Sequence, residues 1–217
     1  MKLRVWDLPT RVFHWSFAAV VTASIISAKA EAYDWHFRFG YAALALLAFR
    51  LVWGIVGPRY ARFSSFLPHP ARALAYLRGV PHDRPGHNPL GAWSVYALLL
   101  IVALQAGTGL FTSDDVMVEG PLLDMVSHGT ADVLGRLHRL NETLIYAVIA
   151  LHLGAVIWYG RVKRRPLVRA MITGDADIAI AAPAARDDWL VRIGAAAVLA
   201  GAAAGVWWLV TVRPASA

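Results

Sequence analysis

LHRLNETLIYAVIALHLGAVIWY, residues 137–159, is a long apolar run that contains two histidines, His138 and His152. Their spacing of fourteen residues completes almost a whole number of helical turns, so both imidazoles face the same side of one helix, roughly 21 Å apart along its axis. Histidine is a common axial ligand of haem iron, and polar side chains inside a membrane helix usually serve a function. The run therefore predicts a membrane helix that holds two stacked haems.

The composition also indicates a membrane protein. Of the 217 residues, 58% are hydrophobic and only 16% are charged, and the mean hydropathy is +0.51, which is unusual for a soluble domain. Five segments are long and apolar enough to cross a hydrocarbon core of about 30 Å. They are residues 12–28, 36–56, 92–111, 137–159 and 189–212. We therefore predict an all-α integral membrane fold.

The first segment has some features of a signal peptide, because Lys2, Arg4 and Arg11 precede its apolar run. It has no clear cleavage site of small residues, however, and it contains His14. We therefore interpret it as a permanent membrane helix.

The distribution of basic residues predicts the orientation. Lys and Arg cluster before the first segment, between the second and third, and after the fourth. In contrast, residues 112–134 contain five carboxylates and no Lys or Arg. By the positive-inside rule, the amino terminus is cytoplasmic and this acidic loop is periplasmic. Five crossings then place the carboxyl terminus in the periplasm, for a multi-pass protein of the bacterial inner membrane.

Charge and cysteine content exclude several classes of function. The net charge of +7 and the pI near 10.1 follow from this topology, and no basic face interleaved with exposed aromatics indicates binding to nucleic acid. The chain has no cysteine, which excludes iron–sulfur clusters, thiolate ligation and covalent attachment of haem. Any haem must therefore be bound non-covalently.

Four histidines lie at matching depths on this topology. His14 and His152 fall near the cytoplasmic face, and His36 and His138 fall near the periplasmic face. We predict two axial ligand pairs, His14/His152 and His36/His138, each taking one ligand from the fourth segment. For any one of these histidines alone, a position at the membrane interface is the competing interpretation. A transition-metal site is a weaker alternative, because ligands about 21 Å apart on one helix cannot share an ion.

The chain resembles the bacterial cytochrome b561 family, which is related to the b-type subunits of nickel–iron hydrogenases and formate dehydrogenases. The resemblance extends over residues 5–175 and rests on motifs that are weak singly and specific together. These are WDLPTRVFHW (6–15), RLVWGIVG (50–57), ARF (61–63), GHNPLG (86–91), Gln105, TGLF (108–111), the spaced histidines of the fourth segment, and LVRAMITG (167–174).

This resemblance implies a four-helix transmembrane bundle with two bis-histidine b haems per chain, and the family's ligand positions match His14, His36, His138 and His152. It suggests a di-haem domain at residues 1–175, followed by a linker and an additional transmembrane helix at residues 176–217. The fifth helix departs from the shortest members of the family and leaves the partner open. Its GAAAG ridge, residues 201–205, fits either a homodimer or packing on the bundle.

Two arginines are candidates for binding the cofactor. Arg50 lies fourteen residues after His36 and could neutralise a haem propionate near the cytoplasmic face. Its competing interpretation is a snorkelling side chain at the interface. Arg11, three residues before His14, could also bind a propionate. The simpler interpretation is that Arg11 is one of the basic residues that set the membrane orientation.

Three further residues have open interpretations. Gln105 and Glu142 are polar groups within apolar runs and could line a quinone pocket or a proton path, although Glu142 also fits plain exposure at the interface. His87 could contact a haem edge or a quinone, or it could stabilise the turn before the third segment.

The function predicted is electron transfer across the membrane between the quinone pool, such as ubiquinone, and a periplasmic redox protein or c-type cytochrome. Whether the chain is itself an enzyme is not decided by the sequence. One alternative is a self-contained superoxide:quinone oxidoreductase, and another is a membrane scaffold without haem. Lipid is the remaining expected partner.

Overall fold

The five apolar segments form five long helices in the structure, a computed structural model that describes residues 1–82, 84–113 and 119–211. These residues also form two short helices and two short strands. In chain order the elements are β1 (Lys2–Arg4), α1 (Leu8–Lys29), α2 (Tyr33–Val56), α3 (Pro70–Leu77), α4 (Pro89–Gly109), α5 (His128–Arg161), α6 (Leu167–Thr173), β2 (Asp175–Asp177) and α7 (Trp189–Thr211).

Helices α1, α2, α4, α5 and α7 are each long and apolar enough to cross a membrane, which confirms the predicted all-α membrane fold with a fifth helix. Many of their large apolar side chains are exposed, as expected for surfaces that face lipid. The chain is thus a multi-pass membrane protein.

The predicted ends of the fourth segment were wrong. Helix α5 begins at His128, nine residues before the apolar run, because Ser127 Oγ accepts a hydrogen bond from the backbone N–H of Thr130 at 3.3 Å and so caps the helix. Hydropathy marks the part of a helix that lies in lipid, whereas capping marks where the helix begins. Asp114 and Asp115 of the acidic loop, and Val212 at the predicted end of the fifth segment, lie outside the described residues.

The chain packs as two compact units. The first unit comprises Met1–His14, Arg50–Leu98 and Val148–Val198. The second comprises Trp15–Phe49, Leu99–Ala147 and Leu199–Ala217. All five long helices contribute residues to both units.

The first unit contains a pair of short strands. Strand β1 pairs antiparallel with β2, and the backbone N–H groups of Val5 and Trp6 both donate to the carbonyl of Gly174, at 2.9 and 3.0 Å. Gly174 ends α6 in the left-handed conformation, with φ of 89°, which glycine adopts without steric cost. The segment expected to be only a linker after residue 175 therefore begins with a strand.

Asp187 fixes the beginning of α1 within the same unit. Its carboxylate accepts hydrogen bonds from the backbone N–H of Leu8 at 2.9 Å and from Arg4 at 2.7 Å, and it lies 3.7 Å from Arg11. Arg4 also donates to Asp175 at 2.7 Å. This second carboxylate raises the pKa of Arg4 above its usual value, with Asp187 adding to the effect against the opposing effect of burial.

The loop between α2 and α4 contains the short helix α3. Pro70 is its first residue, where the missing N–H of proline leaves no intrahelical hydrogen bond unmade. The hydroxyl of Tyr159 on α5 donates to the hydroxyl of Tyr76 on α3 at 2.9 Å. This bond ties the loop before α4 to the end of α5.

Candidate haem sites

The structure brings His14 and His152 together in the first unit. His14 lies on α1 and His152 on α5, and their ring centroids are 6.4 Å apart with the ring planes tilted by 49°. Both side chains are half-buried. Nδ1 of His152 contacts the hydroxyl of Ser94 on α4 at 3.4 Å. We refer to these residues as the His14–His152 pair.

The second unit contains the His36–His138 pair. His36 lies on α2 and His138 on α5, with ring centroids 6.3 Å apart and planes at 88°. Nδ1 of His36 lies 2.9 Å from the carbonyl of Ser24 on α1, and Nδ1 of His138 lies 3.0 Å from the carbonyl of Gln105 on α4.

These carbonyl contacts determine which ring nitrogen can bind iron. A carbonyl oxygen only accepts, so in His36 and His138 the proton must be on Nδ1. The neutral ring then keeps its free lone pair on Nε2, which is the arrangement found where a histidine ligates a metal and donates its other N–H to the backbone. Both rings of this pair are therefore set up as ligands through Nε2.

The ring separations fit an iron between each pair. Metal–imidazole bonds are about 2.0 to 2.1 Å long, which places two opposed ring centroids roughly 6 to 6.5 Å apart, and the two pairs measure 6.4 and 6.3 Å. Within the described ranges, no group of three or more His, Cys, Asp or Glu could hold a bare metal ion. Two imidazoles supply only axial ligands, so a porphyrin that completes the coordination fits these residues better than a free ion does.

His138 packs closely against helix α4. A Cβ atom built on Gly109 would lie 2.9 Å from Cε1 of His138, whereas one built on Gly107 would have no neighbour within 4 Å. The absence of a side chain at Gly109 therefore lets the imidazole pack directly against α4.

Arg50 is buried in the first unit, with 3% of its surface exposed. Its guanidinium stacks over the ring of Phe63, 4.4 Å from the centroid. A Cβ at Gly54 would overlap this ring, so Gly54 gives Phe63 the room to support the arginine. Nη1 of Arg50 is buried without a hydrogen-bond partner among the described residues. A buried cation of this kind favours an anionic ligand.

Asp7 is a fully buried carboxylate that the sequence analysis did not select. It accepts hydrogen bonds from the backbone N–H and the hydroxyl of Thr10, at 2.9 and 2.8 Å, and from the indole N–H of Trp53 at 3.2 Å. The Asp-x-x-Thr spacing at the beginning of α1 is a helix-capping pattern that could have identified it. With these three donors, Asp7 holds the beginning of α1 against α2 near His14.

His87 is a further buried polar side chain in the first unit. Its ring packs between Trp6 and Phe66, with centroids 4.7 and 4.3 Å away, and its Nδ1 is buried without a hydrogen-bond partner among the described residues. Burial, followed by the positive charges of Arg50 and His14, lowers the pKa of His87 to about 3. His87 is thus held neutral in an aromatic wall.

Arg11 has partners within the chain. It donates to the carbonyl of Ile172 at 2.5 Å and lies 3.7 Å from the carboxylate of Asp187. These contacts tie α1 to the segment after α5, and they supply a structural reason for the charge at this position.

Asn141 is the polar residue in the second unit that sequence reasoning missed. Only 2% of its surface is exposed, and its Nδ2 donates to the carbonyl of Ile101 at 2.9 Å and to Oε1 of Gln105 at 2.8 Å. Its position three residues after His138, on the same face of α5, is a signal that could have identified it. Gln105 thus contacts both α5 residues, His138 through its backbone carbonyl and Asn141 through its side chain.

Glu142, the other polar candidate on α5, forms an ion pair with Lys29 of α1 at 2.6 Å. The hydroxyl of Tyr146 donates to the same carboxylate oxygen at 2.6 Å. The carboxylate is partly exposed and Lys29 is more exposed still. This triad connects α1 and α5 at the edge of the second unit.

Comparison with known proteins identifies the family. The family described as Prokaryotic cytochrome b561 matches residues 5–174. The chain therefore belongs to the prokaryotic cytochrome b561 family, as the motifs predicted. Its members are b-type cytochromes, which implies haem b and electron transfer in the membrane.

Two curated relatives carry the same name, "Probable Ni/Fe-hydrogenase B-type cytochrome subunit". The protein from Azotobacter chroococcum mcd 1 is 23% identical over 207 residues, and that from Azotobacter vinelandii is 21% identical over 207 residues. Each alignment covers 78% of this chain and 86% of the relative. No solved structure matches the chain.

Proposed function

We propose that the chain is a di-haem cytochrome that transfers electrons across the bacterial inner membrane, between the quinone pool and a periplasmic redox partner. The observation that carries this proposal is the presence of two histidine pairs with nearly equal ring separations, 6.4 and 6.3 Å, in a b-type cytochrome. A single histidine pair is found in many kinds of haem protein. Two pairs that share one membrane helix favour a role in passing electrons across a bilayer.

The four histidines act as axial ligands in this proposal. His14 and His152 hold one haem b, and His36 and His138 hold the other, the latter two through Nε2. Bound haem supplies the one-electron redox chemistry. The chain supplies ligation and burial, and in His36 and His138 it also supplies the carbonyl oxygens that accept from Nδ1–H and fix each ring.

Arg50 binds a carboxylate of the haem held by the His14–His152 pair. Its buried guanidinium has an unpartnered Nη1, and a carboxylate there would form a charge-assisted hydrogen bond. Arg11, the other candidate from the sequence, already contacts Ile172 and Asp187, so the proposal for the carboxylate rests on Arg50.

The orientation follows from the basic residues. With the amino terminus in the cytoplasm, the His14–His152 pair lies toward the cytoplasmic face and the His36–His138 pair toward the periplasmic face. The carboxyl terminus then lies in the periplasm after five crossings.

The partner is best sought among redox subunits. The curated relatives are named as cytochrome subunits of hydrogenases, which supports a redox subunit as the protein that exchanges electrons with this chain, and we place that partner, such as a c-type cytochrome, in the periplasm. A quinone in the membrane is the second partner.

The deciding experiment measures haem content and electron exchange on the purified protein. A pyridine haemochrome assay should give about two b haems for each chain, and stopped-flow spectroscopy should show haem reduction by a quinol analogue or a candidate donor. A protein with no haem would exclude the proposal. Rapid reduction by superoxide alone, without a protein partner, would replace it with the self-contained oxidoreductase.

A further inference from the structure

We propose that Asn141 is a positioning residue that acts through Gln105 to set the hydrogen bond, and thereby the reduction potential, of the haem ligand His138. This inference rests on the proposed function, in which His138 is an axial ligand. It concerns a residue that has no role in that function as stated above.

Asn141 lies about one helical turn after His138 on α5, and its side chain connects α5 to α4. Its Nδ2 donates to the carbonyl of Ile101 at 2.9 Å and to Oε1 of Gln105 at 2.8 Å. His138, three residues earlier on α5, donates from Nδ1 to the carbonyl oxygen of the same Gln105 at 3.0 Å. Gln105 is thus held at its side chain by Asn141 while its backbone holds His138.

The orientation of the Asn141 amide is fixed by its surroundings. The carbonyl of Ile101 can only accept, so the NH2 group must face it. The amide oxygen is consequently turned away from α4, and it is buried without a hydrogen-bond partner among the described residues.

That unsatisfied oxygen argues against a role in packing alone. A buried acceptor without a donor is unfavourable, most of all inside a membrane. A leucine of similar volume would fill the same space between the helices without this penalty. The benefit of an asparagine at this position must therefore come from the two hydrogen bonds that its Nδ2 donates to α4.

The consequence for the ligand follows from the chemistry of imidazole. A stronger hydrogen bond from Nδ1–H makes the ring a more electron-donating ligand and fixes its plane. Electron donation stabilises the oxidised iron more than the reduced iron. Loss of the support from Asn141 should loosen the Gln105 turn, lengthen the bond from His138, and raise the reduction potential of this haem only.

The test is a redox titration combined with electron paramagnetic resonance on the full-length protein that contains both haems. The variants are Asn141→Leu and, as the matched control, Leu140→Ala, because Leu140 is the adjacent residue on α5 and is 69% exposed. A His36→Ala variant identifies which signals belong to the haem of the His36–His138 pair.

We expect Asn141→Leu to raise the potential of that haem and to shift its largest g value, while the signals of the other haem stay at their wild-type positions. Leu140→Ala should leave both haems unchanged. Equal shifts in the two variants would overturn the proposal, and so would a shift of both haems in Asn141→Leu.

Gln105→Met provides a second route if Asn141→Leu does not fold. It removes Oε1 but keeps the backbone carbonyl that accepts from His138, so it should shift the same haem in the same direction. Because both variants remove one shared hydrogen bond, the double variant should shift the potential by less than the sum of the two single shifts. Additive shifts would overturn the coupling through Gln105.

The outcomes also separate this inference from the proposed function. Two haems with unchanged potentials and g values in Asn141→Leu would refute the role of Asn141 and leave the di-haem proposal standing. A wild-type protein with fewer than two haems would refute the di-haem proposal itself.

Discussion

The carboxylate of Asp187 accepts a hydrogen bond from the backbone N–H of Leu8 at 2.9 Å, although the two residues are 179 positions apart in the chain. Leu8 is the first residue of α1, so the carboxylate lies at the positive end of the helix dipole. The same helix carries His14 less than two turns later. The beginning of α1, and the position of His14 near it, are therefore fixed by a residue that lies two positions before α7.

Asp187→Asn should lower the stability of the first unit. The amide can still accept a hydrogen bond from Leu8, but it lacks the negative charge that faces Arg4 and the helix dipole. For a largely buried carboxylate with partly exposed partners, loss of that charge should cost about 1 to 2 kcal/mol of stability. Thermal unfolding in detergent should show a lower melting temperature for Asp187→Asn than for Asp177→Asn. The latter is the control, because it removes an exposed carboxylate from β2. Equal melting temperatures for the two variants would contradict the capping role.

Replacement of single ligands should remove haems in pairs. His138→Ala and His36→Ala should each lose the same haem, whereas His14→Ala and His152→Ala should each lose the other, because bis-imidazole ligation needs both rings. Haem quantification and reduced-minus-oxidised spectra distinguish the four variants. If His14→Ala and His36→Ala lost the same haem, the pairing would be refuted.

Gly109→Ala should disturb the His36–His138 pair. The new methyl group would lie 2.9 Å from Cε1 of His138, which forces the ring or α4 to move and should cost roughly 1 to 3 kcal/mol of packing. Gly107→Ala is the matched control on the same helix, because its methyl group would have no neighbour within 4 Å. Haem retention during purification should fall in the first variant and match wild type in the second.

Arg50→Gln should affect the haem of the His14–His152 pair alone. Removal of the buried positive charge makes reduction of a nearby iron less favourable, so its reduction potential should fall and its haem should dissociate more readily. Arg38→Gln serves as the control, since Arg38 also lies on α2 and stacks on an aromatic ring, at 5.1 Å from the Trp35 centroid, but is exposed. A wild-type potential in Arg50→Gln would show that Arg50 does not contact the haem carboxylate.

A reporter fused to the carboxyl terminus tests the orientation. If the amino terminus is cytoplasmic and all five long helices cross the membrane, the reporter should be periplasmic. Alkaline phosphatase activity at this position, with no activity in a fusion to the loop between α2 and α4, is the expected result. A cytoplasmic carboxyl terminus would mean that α7 does not cross.

The sequence predicted the five long helices because lipid imposes a simple rule: about twenty apolar residues must lie in succession. It also predicted which histidines come together, since His14/His152 and His36/His138 lie at matching distances along helices of that length. The predicted boundaries were less accurate. The beginning of α5 at His128 depends on a cap at Ser127 and on polar turns, to which hydropathy is insensitive.

The rest of the site depends on contacts between residues far apart in the chain. Gln105 could be selected as a polar residue in an apolar run, but its hydrogen bond with Asn141 forms only because α4 and α5 are adjacent. Likewise, β1 and β2 are three-residue strands with no periodicity to detect. Asp7 was the exception, because its capping pattern with Thr10 is local and could have been recognised.

The pairing of β1 with β2 also has a consequence for how the chain is made. Translation produces Lys2–Arg4 first and Asp175–Asp177 only after four of the five long helices. A nascent chain that has just passed residue 174 already contains all four histidines but lacks its second strand and Asp187. Pairing of the two strands is therefore a late event in biosynthesis, whereas all four histidines of the two pairs are present in the chain before translation ends.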